Sequence, residues 1–156
     1  MLRDFCSGDQ IIPRQPMFPQ PRKRFGQNFL QDPAIIDQIL AAIAPQASER
    51  LVEIGPGRGA ITQPLLRRAG HLDVVELDRD LIDPLGRACQ GLGHLTIHQA
   101  DALAFELRPL AGPNGKVRLV GNLPYNISTP LLFRFLEQKA CIQDLHLMLQ
   151  KEVVER

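Results

Sequence analysis

A glycine-rich segment, Gly55-Pro56-Gly57-Arg58-Gly59, follows the short apolar run at residues 50–54. Glycine permits a sharp turn and lets a ligand approach the backbone closely, so a strand, this loop and a following helix predict a nucleotide-binding crevice. The spacing is Gly-x-Gly-x-Gly, whereas Gly-x-Gly-x-x-Gly is typical of dinucleotide sites. Pro56 also removes a backbone N–H that a pyrophosphate would use as a donor. The loop therefore favours a ligand without phosphate, with a plain structural turn as the alternative.

Acidic residues follow two further predicted strands. Glu76 stands 21 residues after Gly55, where an acid accepts hydrogen bonds from ribose hydroxyls and disfavours a 2′-phosphate. Asp101 follows the next strand, and its carboxylate can accept a hydrogen bond from an adenine amino group. Three acids around one pocket, Glu53, Glu76 and Asp101, suit a cationic sulfonium and ammonium, so we expect S-adenosylmethionine as the cofactor. Glu76 alone could instead cap the next helix, as could Asp78 beside it.

The segment Asn122-Leu123-Pro124-Tyr125 follows a fourth predicted strand, which would place it at the same crevice. An adenine amino group is a poor nucleophile because its lone pair is delocalised into the ring. The Asn122 side-chain carbonyl and the backbone carbonyl of Leu123 or Pro124 can accept from that amine and aim its lone pair at a methyl carbon. The Tyr125 ring can stack on an extruded base. We therefore predict Asn122, Leu123, Pro124 and Tyr125 as catalytic residues, with a structural turn and a packed tyrosine as the alternative.

The elements that must position these motifs alternate along the chain. The apolar patterns predict strands over residues 50–54, 72–77, 94–98, 116–120 and 144–150. They predict helices over 33–43, 60–69, 78–90 (weakened by Pro84 and Gly86), 130–139 and from 151 onward. This alternation indicates an α/β fold, a Rossmann-like and mostly parallel doubly wound sheet with helices on both faces.

The ends of the chain differ from this pattern. Residues 1–21 contain four prolines and are predicted to form an irregular leader, followed by one domain over residues 22–156. The last predicted strand would leave an apolar sheet edge uncovered, and the helix that begins at Lys151 shows no cap before Arg156. We therefore expect the domain to be incomplete at its C-terminus.

The composition excludes several classes of protein. Hydrophobic residues make up 44% of the 156 residues and charged residues 22%, as in ordinary globular domains. Cys6, Cys89 and Cys141 lack the spacing of metal ligands or of a disulfide framework, so we expect no metal. Asp4 and Asp9 interrupt any signal-peptide core, and no stretch approaches the ~18 apolar residues of a membrane span. We expect a cytoplasmic protein without a membrane partner.

Taken together, these motifs resemble those of the ribosomal RNA adenine N6-dimethyltransferases. The resemblance runs from about Pro21 to Arg156 and is carried by Lys23–Leu30 (KRFGQNFL), the Glu53–Gly59 loop, Glu76, Gln99–Asp101 and Asn122–Ile127. The form of these motifs, GNLPYNIST above all, favours the bacterial branch that dimethylates two adjacent adenosines near the 3′ end of small-subunit rRNA.

The resemblance implies roles for individual residues. The implied cofactor site comprises Asn28, Leu30, Gly55, Glu76, Asp101 and Asn122. Asn28 and Leu30 would close over the methionine end of the cofactor, and Asn122 would join the cofactor site to the acceptor site. Residues 22–24, Arg-Lys-Arg, would lie near the rRNA.

The resemblance also implies partners. Small-subunit rRNA in an immature 30S subunit is the expected substrate, and we expect a monomer. Family members continue beyond the position of Arg156 with further strands and a helical domain that grips rRNA, so we expect a truncated chain that binds cofactor weakly at most.

Other functions stay open at this point. A tetrad like Asn122–Tyr125 also serves methylation of DNA adenine or protein glutamine, although the RFGQNFL segment argues against both. A dimethylase of large-subunit rRNA and a binding module without enzymatic activity are further alternatives. A dehydrogenase is disfavoured by the glycine spacing and by Pro56.

Overall fold

The computed structural model describes residues 18–19 and 30–155, and within them strands and helices alternate as predicted. The strands are β1 (Leu51–Ile54), β2 (His71–Glu76), β3 (His94–Gln99), β4 (Val117–Asn122) and β5 (Ile142–Met148). The α-helices are α1 (Pro33–Ile43), α2 (Thr62–Ala69), α3 (Arg79–Ala88), α4 (Ser128–Glu137) and α5 (Lys151–Val154). The predicted leader lies outside the described residues except at residues 18–19, so it and the boundary at residue 22 stay predictions.

The five strands form one sheet in the order β3-β2-β1-β4-β5, and every neighbouring pair is parallel. From β1 the chain builds β2 and β3 on one side and then crosses to build β4 and β5 on the other. The topological switch point therefore lies between β1 and β4, where open α/β sheets bind their ligands. The predicted doubly wound fold is confirmed.

Each face of the sheet carries its own apolar core. One core joins α1, α2 and α3 to the sheet through residues such as Leu40, Leu65, Leu85, Leu51 and Val74. The other joins α4 to the opposite face through residues such as Leu131, Phe135, Val52, Ile54 and Val75. All four residues of β1 are buried, as expected for a central parallel strand covered on both faces.

Helix α1 begins and ends where the sequence pattern predicts. Asp32 is the N-cap, and its Oδ1 accepts a 2.9 Å hydrogen bond from the backbone N–H of Ala34. Pro33 occupies the first position, where a missing N–H costs no helical hydrogen bond. The helix ends at Ala44, whose left-handed φ of 44° lets its N–H donate to the Leu40 carbonyl.

Seven predicted boundaries, in α2, α3, β4, α4 and β5, were wrong by about two residues, and three of them have a clear physical reason. Strand β4 continues to Asn122 because it pairs with β5 up to Met148. Helix α4 begins at Ser128, ahead of Pro130, because a proline in the first turn breaks no hydrogen bond. Strand β5 begins at Ile142, since a 3-10 turn at residues 139–141 brings the chain directly into register with β4.

Pro84 lies inside α3 without ending it. The helix has a strong apolar face with Leu81 and Leu85 buried against the sheet, and Asp78 caps its start by accepting from the Asp80 N–H at 3.2 Å. Packing and capping therefore outweigh the weakness that the sequence predicted here.

A buried arginine joins the sheet to α1. Arg118 of β4 is 7% exposed, and its guanidinium contacts Glu49 at 2.6 Å and Asp144 of β5 at 3.0 Å. Its Nη2 also donates to the Ile43 carbonyl at 2.7 Å, the last residue of α1. One side chain thus links α1, the turn before β1 and two strands.

The edge and surface of the described part show two further features. Strand β5 hydrogen-bonds to β4 on one side only within the described residues, and Leu145 on it is 41% exposed. Across residues 18–19 and 30–155, no helix has the length and apolar character needed to cross a membrane.

We expect Arg118→Met to lower the free energy of unfolding by about 2–3 kcal/mol, because Glu49, Asp144 and the Ile43 carbonyl lose a buried cationic partner. Urea unfolding followed by circular dichroism measures the loss. Arg134→Met is the matched control, since Arg134 pairs with Glu106 and Glu137 on the surface and should change stability less. Equal losses in both variants would contradict a central role for Arg118.

Candidate functional site

The carboxyl ends of β1, β2, β3 and β4 surround one pocket. Predicted site residues from all four strand ends line it, namely Gly55, Glu76, Asp101, Asn122, Leu123 and Pro124. Leu30, which precedes α1, also lines it. Glu53, the third acid of the predicted set, also lines it. Asn28 lies outside the described residues, so its place in the site stays a prediction.

The glycine loop between β1 and α2 forms one wall of this pocket. Gly55, Gly57 and Gly59 have φ values of 66°, 56° and 81°, a region that side-chain-bearing residues rarely adopt. A Cβ at Gly59 would also lie 2.8 Å from Leu85 Cδ1, so this glycine lets the loop pack against α3. The loop therefore needs its glycines for both turning and packing.

Glu76 is the last residue of β2 and is 7% exposed. Its Oε1 accepts from the Asp78 N–H at 2.8 Å, and its Oε2 accepts from the Gly57 N–H at 3.3 Å. Burial raises the pKa of the Glu76 carboxyl, and these two N–H donors partly oppose that rise. The side chain of Asp78, and not that of Glu76, caps α3, which disfavours the alternative that Glu76 is a helix cap.

Glu53 lies deeper, on β1. It is 2% exposed, and the Thr62 hydroxyl donates a 2.6 Å hydrogen bond to its Oε2. Burial raises the pKa of Glu53 from its ordinary value of 4.5 to about 7, and the nearby Glu76 charge adds to the rise while Thr62 opposes it. Two acids held in such surroundings favour a ligand that carries positive charge.

Asp101 sits at the pocket rim beyond β3. Its side chain is exposed, and its Oδ1 accepts from the Leu103 N–H at 2.9 Å, which orients the carboxylate within a tight turn. Leu77, 48% exposed and next to Glu76 in the sequence, also lines the pocket. The sequence reasoning missed Leu77, although a bulky apolar residue directly after the strand-end acid was a visible signal.

The segment Asn122–Tyr125, which we call the acceptor loop after its predicted role, contributes Asn122, Leu123 and Pro124 to the pocket lining. Asn122 is the last residue of β4, and the Leu123 N–H donates to the Met148 carbonyl of β5 at 3.1 Å. The Pro124 carbonyl accepts from the Ile127 N–H at 3.2 Å, so the loop turns directly into α4. Tyr125 does not line the pocket, and its side chain is 48% exposed beside it. Its predicted stacking role therefore stays a prediction.

Among the described residues, the side chains that could ligate a metal or act as a thiol nucleophile are not arranged for either role. No cluster of three or more His, Cys, Asp or Glu side chains within residues 18–19 and 30–155 is arranged to hold a metal ion. Cys89 and Cys141 are buried free thiols, and burial raises the pKa of Cys89 to about 11. A thiol of that pKa is a poor nucleophile at neutral pH.

The raised pKa of Glu53 predicts how the free energy of unfolding depends on pH. Between pH 4.5 and 7 the unfolded chain ionises this carboxyl while the folded chain keeps it protonated. The folded state therefore binds more protons, and raising the pH lowers the free energy of unfolding by up to roughly 1.4 kcal/mol per pH unit in that window. Glu53→Gln lacks this ionisation, so its stability relative to the parent should rise from pH 5 to pH 7 and then level off.

Urea unfolding at pH 5, 6, 7 and 8 measures this difference for the parent and the variant. Glu152→Gln, an exposed change on α5, is the control and should follow the parent at every pH. If Glu53→Gln and the parent keep a constant difference from pH 5 to pH 8, the raised pKa is wrong.

Comparison with known proteins agrees with this geometry. The family model described as "Ribosomal RNA adenine dimethylase" matches residues 19–156. The curated protein "Ribosomal RNA small subunit methyltransferase A" of Methylococcus capsulatus is 57% identical over 136 residues, which covers 87% of this chain and 52% of that protein. The protein of the same name from Vibrio cholerae is 56% identical over 135 residues, or 86% of this chain and 50% of that protein. The chain thus spans about half the length of the curated relatives it matches.

Two solved structures are also similar to this chain. A dimethyladenosine transferase from Plasmodium falciparum superimposes with a TM-score of 0.69 at 30% identity, over 83% of this chain and 46% of that one. The 23S rRNA methyltransferase ErmE gives a TM-score of 0.70 at 26% identity, over 82% of this chain and 50% of its own. Because the family model covers most of the chain and these structures share its fold, the chain belongs to the ribosomal RNA adenine dimethylase family.

Proposed function

We propose that this chain carries the cofactor site and acceptor loop of an S-adenosylmethionine-dependent enzyme. The proposed reaction is N6-dimethylation of two adjacent adenosines near the 3′ end of small-subunit rRNA in the immature 30S subunit. The observation that carries the proposal is that Glu76 and Asn122, from strands on opposite sides of the switch point, line the same pocket. A cytoplasmic monomer fits this proposal.

The residues of the pocket fit this cofactor. Glu76 presents a carboxylate suited to two ribose hydroxyls, and Asp101 presents one suited to an adenine amino group. The Gly55–Gly59 loop leaves room for close approach of the ligand, while Pro56 supplies no donor for a phosphate. Glu53 and Glu76 together favour positive charge on the ligand. When bound, the cofactor would supply an electrophilic methyl group on a sulfonium sulfur.

The acceptor loop would position the adenine amine. The Asn122 side-chain oxygen and the carbonyl of Leu123 or Pro124 accept from the two amine hydrogens, which directs the nitrogen lone pair toward the methyl carbon. Methyl transfer to this nitrogen would break the methyl–sulfur bond, leave that electron pair on a neutral thioether sulfur and release one amine proton to solvent, so no strong base would be needed. The turn held by the Ile127 N–H and the Pro124 carbonyl keeps these acceptors in place, and such orientation supplies much of the rate enhancement.

A second function rests on the pocket alone, whose lining residues could bind a cofactor whether or not a methyl group is transferred. In it the chain binds the cofactor or rRNA without transferring a methyl group. A large-subunit rRNA acceptor is a further variant of the enzymatic proposal, since the fold also matches the 23S rRNA methyltransferase ErmE.

The first test measures cofactor binding by isothermal titration calorimetry. We expect Glu76→Ala to weaken S-adenosylmethionine binding on the order of a hundredfold, because two hydrogen bonds to a charged acceptor are lost. Glu76→Gln, which keeps one carbonyl oxygen, should fall between the parent and Glu76→Ala. Asp83→Ala, an exposed change on α3, is the charge-matched control and should bind like the parent. Equal affinity of Glu76→Ala and the parent would overturn the proposed cofactor site.

The second test measures transfer of a tritiated methyl group. Small-subunit rRNA, large-subunit rRNA, DNA and protein are offered in parallel as acceptors. We expect Asn122→Ala to lower transfer to small-subunit rRNA by at least about a hundredfold while cofactor binding changes far less, because misplacing the amine removes in-line geometry. Asn114→Ala, in an exposed loop away from the pocket, is the control.

The pattern of acceptors decides between the functions. Transfer to large-subunit rRNA, DNA or protein alone would contradict the proposed substrate. Cofactor binding without transfer to any acceptor would support the binding module. Transfer by Asn122→Ala at the parent's rate would contradict the role of the acceptor loop.

A further inference from the structure

Arg58 is the charged residue of the glycine loop, and it reaches out of that loop to a distant part of the chain. Its Nη2 donates a 2.7 Å hydrogen bond to the backbone carbonyl of Pro19, which lies 39 residues earlier. Both residues are partly buried, so the hydrogen bond is shielded in part from water. A charged donor makes a stronger hydrogen bond than a neutral one.

Another residue that precedes α1, Leu30, lies at the pocket itself. Leu30 lines the pocket and packs against the core formed with α1, α2 and α3. The described residues of the segment before α1 are therefore linked to the cofactor pocket in two ways. One is the Arg58 hydrogen bond to Pro19, and the other is the apolar contact of Leu30.

The positive charges of the ligand do not explain an arginine at this position. The pocket is proposed to take a ligand with a sulfonium and an ammonium group, and the positive charge of the lining residue Arg58 opposes both, so that the carboxylate is the only charged group of the ligand that Arg58 attracts. Arg58 also stands between Gly57 and Gly59, and because glycine has no Cβ these two residues give the loop little intrinsic rigidity. A contact that restrains such a loop before binding lowers the entropy lost on binding.

Building on the proposed function, we propose that Arg58 is a positioning residue for the cofactor site. Its hydrogen bond to Pro19 ties the glycine loop to the segment before α1 and holds the loop in the conformation that receives the cofactor. Arg58 acts through this tether, and the ligand contacts are made by other residues of the pocket.

The test uses the full chain and two ligands that differ in charge. S-adenosylmethionine carries a sulfonium cation, whereas S-adenosylhomocysteine has a neutral thioether at the same place. Loss of the tether in Arg58→Ala should raise the dissociation constants of both ligands by about tenfold, as expected for one hydrogen bond with a charged donor. If Arg58 acted only by repelling the sulfonium, Arg58→Ala would bind S-adenosylmethionine more tightly and S-adenosylhomocysteine with unchanged affinity. If it acted only by pairing with the carboxylate that both ligands carry, Arg58→Ala would bind 5′-methylthioadenosine, which lacks that carboxylate, as tightly as the parent does, whereas loss of the tether should weaken this third ligand as well.

Two further variants control the comparison. Arg68→Ala removes the same charge from an exposed position on α2 and should leave both dissociation constants at the parent's values. Arg58→Lys keeps one charged donor near the Pro19 carbonyl and should restore part of the affinity. It also supplies the test if Arg58→Ala fails to fold, as judged by its thermal unfolding.

Hydrogen–deuterium exchange tests the hydrogen bond between Arg58 and Pro19 in the absence of any ligand. Peptides that contain Phe18 and Pro19 should exchange faster in Arg58→Ala than in the parent, while peptides from β1 and β4 should not change. Unchanged exchange around Pro19, or unchanged affinity for both ligands, would overturn the inference. If the parent binds neither ligand, the proposed function fails, and the exchange comparison alone then decides whether the tether exists.

Discussion

Strands β1 and β4 are hydrogen-bonded neighbours at the centre of the sheet, and their parallel register brings Ile54 opposite Gly121. A Cβ at position 121 would lie 2.9 Å from the Ile54 carbonyl oxygen, so this close approach requires glycine. Both strands end here, and the glycine loop and the acceptor loop therefore start side by side. A Cβ at Gly55 would lie 3.9 Å from the Asn122 carbonyl oxygen. One strand pair thus joins two motifs that are 67 residues apart in the sequence.

The same strand ends bring acidic side chains into a buried setting. Glu53 and Glu76 are both nearly inaccessible to water, and burial raises the pKa of each. Their hydrogen bonds from Thr62 and from the N–H groups of Gly57 and Asp78 offset only part of the cost of desolvation. A bound cation would favour the ionised form of both carboxyls. Raised pKa values of this kind cluster at functional sites because binding needs groups that the fold alone does not fully satisfy.

The rest of the molecule supports this arrangement at a distance. The two apolar cores hold α1, α2 and α3 on one face and α4 on the other, so the strand ends stay in register. Arg118 links α1 to β4 and β5 at the end of the sheet away from the pocket. The loops at the pocket are held by packing, as where Gly59 meets Leu85 and where Leu123 joins the core beneath α4, and by individual hydrogen bonds such as that of Arg58 to Pro19. A rigid frame with locally restrained loops is the usual way in which α/β sheets build binding sites.

Much of this protein could be predicted from the sequence, because the signals involved are local. Strand–helix alternation, the Asp32-Pro33 helix start and the glycine spacing depend on residues within a few positions of one another, and the structure agrees with them. The strand-end acids could be placed at one edge because parallel strands end together.

Other features depend on partners far along the chain, which only the tertiary structure decided. The length of β4 is set by its pairing with β5, and α3 continues through Pro84 because its apolar face packs on the sheet. The raised pKa of Glu53 depends on how completely the helices bury β1, and the contact of Arg58 with Pro19 joins segments that no periodicity relates. The sequence by itself determined which residues could do the chemistry. The fold decided their distances, their burial and their protonation, because desolvation and long-range contacts arise only when the strands and helices pack together.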